Sequence, residues 1–167
     1  MIQLDYSKIN ERTFDFLAER YRKVGDKLIN SGPLTRIFSQ YISGNFIAPS
    51  VLEIGVGSGN MLKYFSELCF RTIAIDISSK MIEVAKIKSL STDFIHSDFL
   101  SYNFLGKRFS GIFADSVLHL FPRDKIEKVF DKVYSLLENR GCLYVSIPLF
   151  KRSEEELINR GKKIMAF

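Results

Sequence analysis

Long apolar runs are missing from this chain of 167 residues: its hydrophobic stretches are short and broken by charge, so no segment reads as a membrane span. The N-terminal MIQLDYSKIN lacks the basic-then-apolar layout of a secretory leader, and a cytoplasmic setting is expected. Cysteine is scarce. Cys69 closes an apolar helical stretch and Cys142 opens an apolar strand, with no C-x-x-C spacing, so buried thiols are expected rather than a metal or redox pair. No internal repeat and no low-complexity linker is present, which argues against solenoids and strings of modules. The net charge of +5 would admit nucleic acid or an anionic partner. Its basic residues are interleaved with acids, as in RYRKVGDK and KIEKVFDK, which reads as solvated helix faces, and nucleic acid is not expected.

What is present suits one domain with one core: 46% of the residues are hydrophobic. Helical and strand-like patterns alternate. A stripe of Ile9, Phe14, Leu17, Tyr21, Val24 and Leu28 predicts a helix over 7–30, ended by Gly32-Pro33, and a second helix runs to about Ser43. Then follow a strand Ser50 to Ile54, a helix from Asn60, a strand Thr72 to Asp76 and a helix Ser79 to Lys88. Strands at Asp93 to His96 and Phe109 to Ala114, a helix Arg123 to Glu138 and a strand Gly141 to Ile147 complete the run. Such alternation predicts an α/β, Rossmann-like, doubly wound and mostly parallel sheet, with an N-terminal helical cap (1–45), a core (46–150) and a tail (151–167).

The stretch VLEIGVGSGN carries the first chemistry. An apolar strand runs into Glu53 and then into Gly55, Gly57 and Gly59, where missing Cβ atoms permit a tight turn, positive φ and close approach of a ligand at a helix N-terminus. The spacing is G-x-G-x-G. The dinucleotide pattern G-x-G-x-x-G would place its third glycine at Asn60, and no lysine followed by Ser or Thr supplies a P-loop. A purely structural turn remains the alternative.

In open parallel sheets ligands lie beyond the carboxyl ends of the strands, at the point where strand order reverses. Here the first strand ends in Glu53 and the glycines; the second in Asp76, about twenty residues on, where a carboxylate can accept both hydroxyl protons of a ribose. The third is followed by Asp98, an acceptor for an exocyclic amine such as that of adenine, and the fourth leads Asp115, Ser116 and His119 into a loop. Each has a plainer reading, because Asp and Ser are ordinary loop and cap residues.

VLEIGVGSGN, IAIDIS followed by KMIEVAK, HSDF, GIFADSVLHLF and LLENRGCLYVSIP together resemble, in order and spacing over about residues 50 to 148, the class I S-adenosylmethionine-dependent methyltransferases of small-molecule type. The resemblance implies that Glu53 helps hold the methionine amino group and that Gly55, Gly57 and Gly59 let the ligand lie against the backbone. It implies further that Asp76 binds the ribose, Ile77 and Met81 face the adenine ring, Asp98 accepts from its amine and Phe99 flanks it, with Asp115 counted among the cofactor-facing residues. The chemistry agrees, since a cationic sulfonium without phosphates suits an acidic residue beside a glycine turn better than a pyrophosphate does. Methyl transfer then asks mainly for alignment and exclusion of water. A base is needed only for a protonated acceptor, and His119 is the candidate, with a loop-capping role before Phe121-Pro122 as its alternative. No metal is called for. The Asn/Asp-Pro-Pro-Tyr signature of base methylation is absent, which points to a small-molecule acceptor.

Members of the family continue past the fifth strand through a helix and an antiparallel strand pair, whereas this sequence stops at RGKKIMAF. The strand in GCLYVSIPLF is therefore expected to have an uncovered edge and to pair with a second copy or another protein. Two functions are weighed: a methyltransferase acting on a small molecule, and a cofactor-binding but inactive module that stabilises or regulates a partner.

Overall fold

The computed structural model describes residues 5–24 and 32–148. Its element order is α1 (Tyr6–Val24), α2 (Pro33–Asn45), β1 (Ser50–Ile54), α3 (Asn60–Glu67), β2 (Arg71–Asp76), α4 (Ser79–Lys86), β3 (Asp93–His96), β4 (Phe109–Asp115), α5 (Ile126–Leu136) and β5 (Leu137–Ser146). Two short 3₁₀ turns, Leu118–Leu120 and Arg123–Lys125, join β4 to α5. No described helix is long and apolar enough to cross a membrane.

The five strands form one sheet in the order β3-β2-β1-β4-β5, and every pairing is parallel. Parallel neighbours demand crossovers, which the helices between them supply. The chain winds outward from β1 to β2 and β3, then returns to place β4 on the other side of β1. The order therefore reverses at β1, which is where the glycine turn sits.

Alternation along β1 sorts its side chains between two helix layers. Leu52 and Ile54 join Ile73, Ile75, Ile112, Val129 and Val133 in the cluster under α5, while Val51 joins Phe38, Ile42, Phe65 and Phe113 under α2 and α3. Glu53 shares the parity of Val51 and is carried into the apolar side of the sheet. Gly111 of β4 permits this packing: a Cβ there would lie 2.3 Å from Ile42 Cδ1 and 2.7 Å from Phe38 Cζ. Local signals set the helix starts. Pro33 at the first turn of α2 suits its fixed φ, and the Ser78 hydroxyl caps α4 by accepting from Met81 N at 3.1 Å.

Several boundaries differ from the sequence expectation. The first helix is described to Val24, and Leu28 lies outside the described residues. α4 ends at Lys86 rather than Lys88. The last helix opens with a 3₁₀ turn and stops at Leu136, and β5 begins at once at Leu137 rather than Gly141. The early start works because the strand takes up its extra residues in an irregularity: Phe109 pairs Leu137 but Gly111 pairs Cys142, with Arg140 at φ 67 between them. β5 is half-buried, with Val145 and, just past its end, Ile147 exposed, and β4 is its one strand neighbour among the described residues. Leu149, Phe150 and the tail 151–167 lie outside the described residues. Cys142 is half-buried, and burial pushes its thiol up to about 11. Cys69 is exposed, contrary to expectation, because it sits just past α3 in a left-handed conformation (φ 61) that closes the helix end.

Candidate functional site

A cavity of about 760 Å³ opens at the carboxyl ends of β1, β2 and β4 and is roofed by α1 and the start of α2. Glu53, Gly55, Gly57, Asp76, Ile77, Met81, Asp98, Phe99 and Asp115 all line it. Side chains expected to act together from positions spread over more than sixty residues are thus brought to one wall.

The three glycines are not equivalent. All have positive φ, but a Cβ on Gly57 would meet nothing within 4 Å, so the backbone there is bare toward the cavity. Gly59 is outside the cavity wall. A Cβ on it would lie 2.7 Å from Ala85 Cα and 2.8 Å from Ala85 O, so this glycine lets α3 start against α4 rather than admitting a ligand. A Cβ on Gly55 would press on Val117 Cγ2 at 3.0 Å.

Asp76 is fixed by the turns around it. Its Oδ2 accepts from Val56 N at 2.9 Å and its Oδ1 from Ser78 N at 2.8 Å, so one carboxylate ties the glycine turn to the N-terminus of α4. Burial raises its pKa, and the backbone donors from Ser78 and Val56 oppose the rise. Glu53 has no such support for one oxygen. The residue is buried, its Oε2 has no hydrogen-bond partner among the described residues, and desolvation, then the neighbouring charges of Asp115 and Asp76, hold its carboxyl well above the usual range. Asp115 is exposed and accepts from the hydroxyls of Ser146 and Ser116. This acidic rim makes no metal centre: among the described residues no group of three or more His, Cys, Asp or Glu could hold an ion.

Asp98 accepts from Tyr6 Oη at 2.9 Å on Oδ2, and from Ser101 N and Oγ at 2.9 Å each on Oδ1. Burial, then the bond to Asp98, pushes the Tyr6 phenol well above its ordinary range. Tyr6 belongs to a contribution that the sequence reading missed. Tyr6 and Asn10 extend the stripe of Phe14, Leu17 and Tyr21 along the cavity, and α1 is held there by Asn10 Nδ2 donating to Leu120 O at 3.1 Å. Asp15 Oδ1 accepts from Ser78 Oγ at 2.6 Å, fastening α1 to the cap of α4. Counting backward from Phe14 at helical spacing would have reached Asn10 and Tyr6; their polarity kept them off an apolar stripe. Tyr64 and Tyr144 also line the cavity, and no spacing in the sequence singles them out.

His119 is not brought to this wall. It lies in the 3₁₀ turn Leu118–Leu120 with Nδ1 buried and without a partner among the described residues, and burial lowers its pKa, while Val117, Leu120 and Phe121 on either side face the cavity.

Comparison with known proteins places this geometry among relatives. An "Uncharacterized methyltransferase" of Alkaliphilus oremlandii (strain OhILAs) is 29% identical over 118 residues, covering 70% of this chain and 54% of that protein. A "Carboxy-S-adenosyl-L-methionine synthase" of Nautilia profundicola is 28% identical over 170 aligned positions, covering 95% of this chain and 68% of its own length. The chain spans about half the length of several of the curated methyltransferases it matches. Among solved structures, magnesium protoporphyrin IX methyltransferase (ChlM) from Synechocystis PCC 6803 with bound SAM superposes with a TM-score of 0.70 at 19% identity, over 94% of this chain and 84% of that one. A DhpI–SAH complex superposes with a TM-score of 0.68 at 21% identity, over 83% and 67% respectively, and these likenesses bear on the fold. A family model described as "Methyltransferase domain" matches residues 51–141, from the strand that carries Glu53 into β5. The chain belongs to that methyltransferase-domain family.

Proposed function

We propose that the cavity binds S-adenosylmethionine and that the chain transfers its methyl group to a small-molecule acceptor, leaving S-adenosylhomocysteine. The observation that carries this reading is Glu53 Oε2, a buried acceptor at the end of β1 without a partner among the described residues, beside a glycine backbone that none of them covers. A buried carboxylate lacking a donor is costly unless a ligand brings a cation or a donor to it, and the methionine ammonium does both. A dinucleotide phosphate brings neither a cation nor a donor to Glu53 and would face the carboxylates of Asp76 and Asp115. Names among the relatives and neighbours support the choice of nucleotide, since they include a carboxy-S-adenosyl-L-methionine synthase and complexes with SAM and SAH.

In this reading Asp76, already oriented by two backbone amides, accepts from the ribose hydroxyls. Ile77, Met81 and Phe99 give the adenine an apolar slot, and Asp98 offers it an acceptor. When bound, the cofactor supplies a methyl group activated on a sulfonium. The chain's own residues contribute the position of that group and a wall of α1 that keeps water away. His119 stands outside the cavity wall, so the proposed transfer routes no proton through it.

Calorimetry with S-adenosylhomocysteine and with NAD tests the cofactor: heat with the first and none with the second is expected, and the reverse pattern would end the reading. Pairing of β5 on one side alone among the described residues favours a second reading, a cofactor-binding but inactive module docked on a partner. Formation of S-adenosylhomocysteine from S-adenosylmethionine on adding candidate small-molecule acceptors to the purified chain separates the two.

A further inference from the structure

On α5, away from the cavity, one lysine is tied to the segment that carries Asp98 and Phe99. Lys132 is half-buried, and its Nζ donates to Leu100 O at 2.9 Å and to Tyr102 O at 2.5 Å. The same ammonium lies 5.2 Å from the centre of the Phe99 ring and 5.5 Å from that of Phe104, both buried. Burial lowers its pKa, and the charge of Asp98 opposes the fall. The turn it grips is short: Tyr102 N donates back to Asp98 O at 3.1 Å, and Ser101 N to Asp98 Oδ1 at 2.9 Å. Two carbonyls converging on one point need donors, and an ammonium supplies up to three from a single atom. A neutral apolar side chain of the same length would fill the space and leave both carbonyls unpaired.

We propose that Lys132 is a positioning residue for the adenine end of the cavity: by drawing the carbonyls of Leu100 and Tyr102 onto α5 and seating the Phe99 ring, it fixes where the Asp98 carboxylate meets the base. The proposal rests on the S-adenosylmethionine reading of the cavity. It assigns base recognition partly to a residue more than thirty positions downstream that touches no ligand.

The test compares S-adenosylhomocysteine with its 6-deamino analogue, in which the purine carries a hydrogen in place of the amine and offers no donor at that edge. A carboxylate that only accepts should favour the amine, so the native chain should bind the adenine ligand more tightly. Lys132→Met is expected to weaken S-adenosylhomocysteine about tenfold, to weaken the 6-deamino analogue less, and so to shrink the preference. Lys132→Arg, which restores charge and donors, should recover it. A purely structural lysine would lower the melting temperature and leave the ratio of the two affinities untouched, and that result overturns the proposal. If Lys132→Met does not fold, Lys132→Gln is judged by the same ratio. A native chain that binds neither ligand overturns the cofactor reading and this proposal together, whereas tight binding with an unchanged ratio in the variant overturns the role of Lys132 alone.

Discussion

At the scale of single residues, the buried Glu53 and the partly buried Asp76 are two acids treated in opposite ways. Asp76 is met by backbone amides on both oxygens, while Glu53 keeps one oxygen bare. For Glu53 the raised pKa means that the ligand-free fold holds a proton that the unfolded chain has already released. Stability tied to this group is therefore full below the ordinary carboxylate range and is lost as pH rises toward the raised value. Glu53→Gln cannot ionise. Its melting temperature should fall less than that of the native chain between about pH 5 and about pH 8, while its affinity for S-adenosylhomocysteine drops by about 1.5–3 kcal/mol, as for a lost bond to a charged group. Parallel melting curves and unchanged binding would show that Glu53 is an inert core acid. For Asp76 the expectation is simpler: Asp76→Ala should cost about 1.5–3 kcal/mol of binding, or roughly ten- to more than a hundredfold in affinity. Calorimetry showing a change within about twofold would leave the carboxylate no role beyond bridging the two turns.

At the scale of elements, the glycine turn offers a matched pair of substitutions. Gly57 and Gly59 both have positive φ, so an alanine at either is strained, by about 1–2 kcal/mol for a left-handed residue. Only at Gly59 does the new methyl also strike backbone, that of Ala85. Gly59→Ala should therefore lower the melting temperature by clearly more than Gly57→Ala, while Gly57→Ala should lose ligand affinity with a smaller loss of stability. Equal melting temperatures for the two variants would contradict the division of labour. The sequence could not make that division, because three glycines at alternate positions look alike until the neighbouring helix is in place. It did reveal the strands and their carboxyl ends, since apolar runs bounded by Gly and Asp are local signals, and hence the wall from Glu53 to Asp115. What it hid depended on distant partners: Tyr6 on Asp98, Asp15 on Ser78 and Lys132 on Leu100 join residues with no shared local pattern. The start of β5 was hidden for a related reason. Leu137 and Glu138 read as the end of the helix, and only the pairing of Leu137 with Phe109 shows that the strand already starts there.

At the scale of the whole molecule, the sheet is unequal at its two ends. β3 is a short edge of four residues, whereas β5 is a long one of ten whose outer side has no strand neighbour among the described residues. Val145 is 36% and Ile147 55% exposed there, and Leu34 and Ile37 of α2, which packs against β5, are exposed as well. A long edge with apolar side chains is a template for another strand, and proteins generally cover or blunt such edges. Two copies meeting at β5 would bury it by an isologous contact in which each strand pairs with its own counterpart. We expect the purified chain to be a dimer, or to be held in a complex with another protein, and Ile147→Lys together with Val145→Lys to shift it toward monomer by placing charge on that edge. Light scattering at micromolar concentration reads the outcome directly. A native chain that is already a stable monomer, does not aggregate and turns over S-adenosylmethionine would contradict both the need to cover β5 and the idea of a module that works only on a partner. A dimer that survives both lysines would place its contact elsewhere and leave the β5 edge to a different occupant.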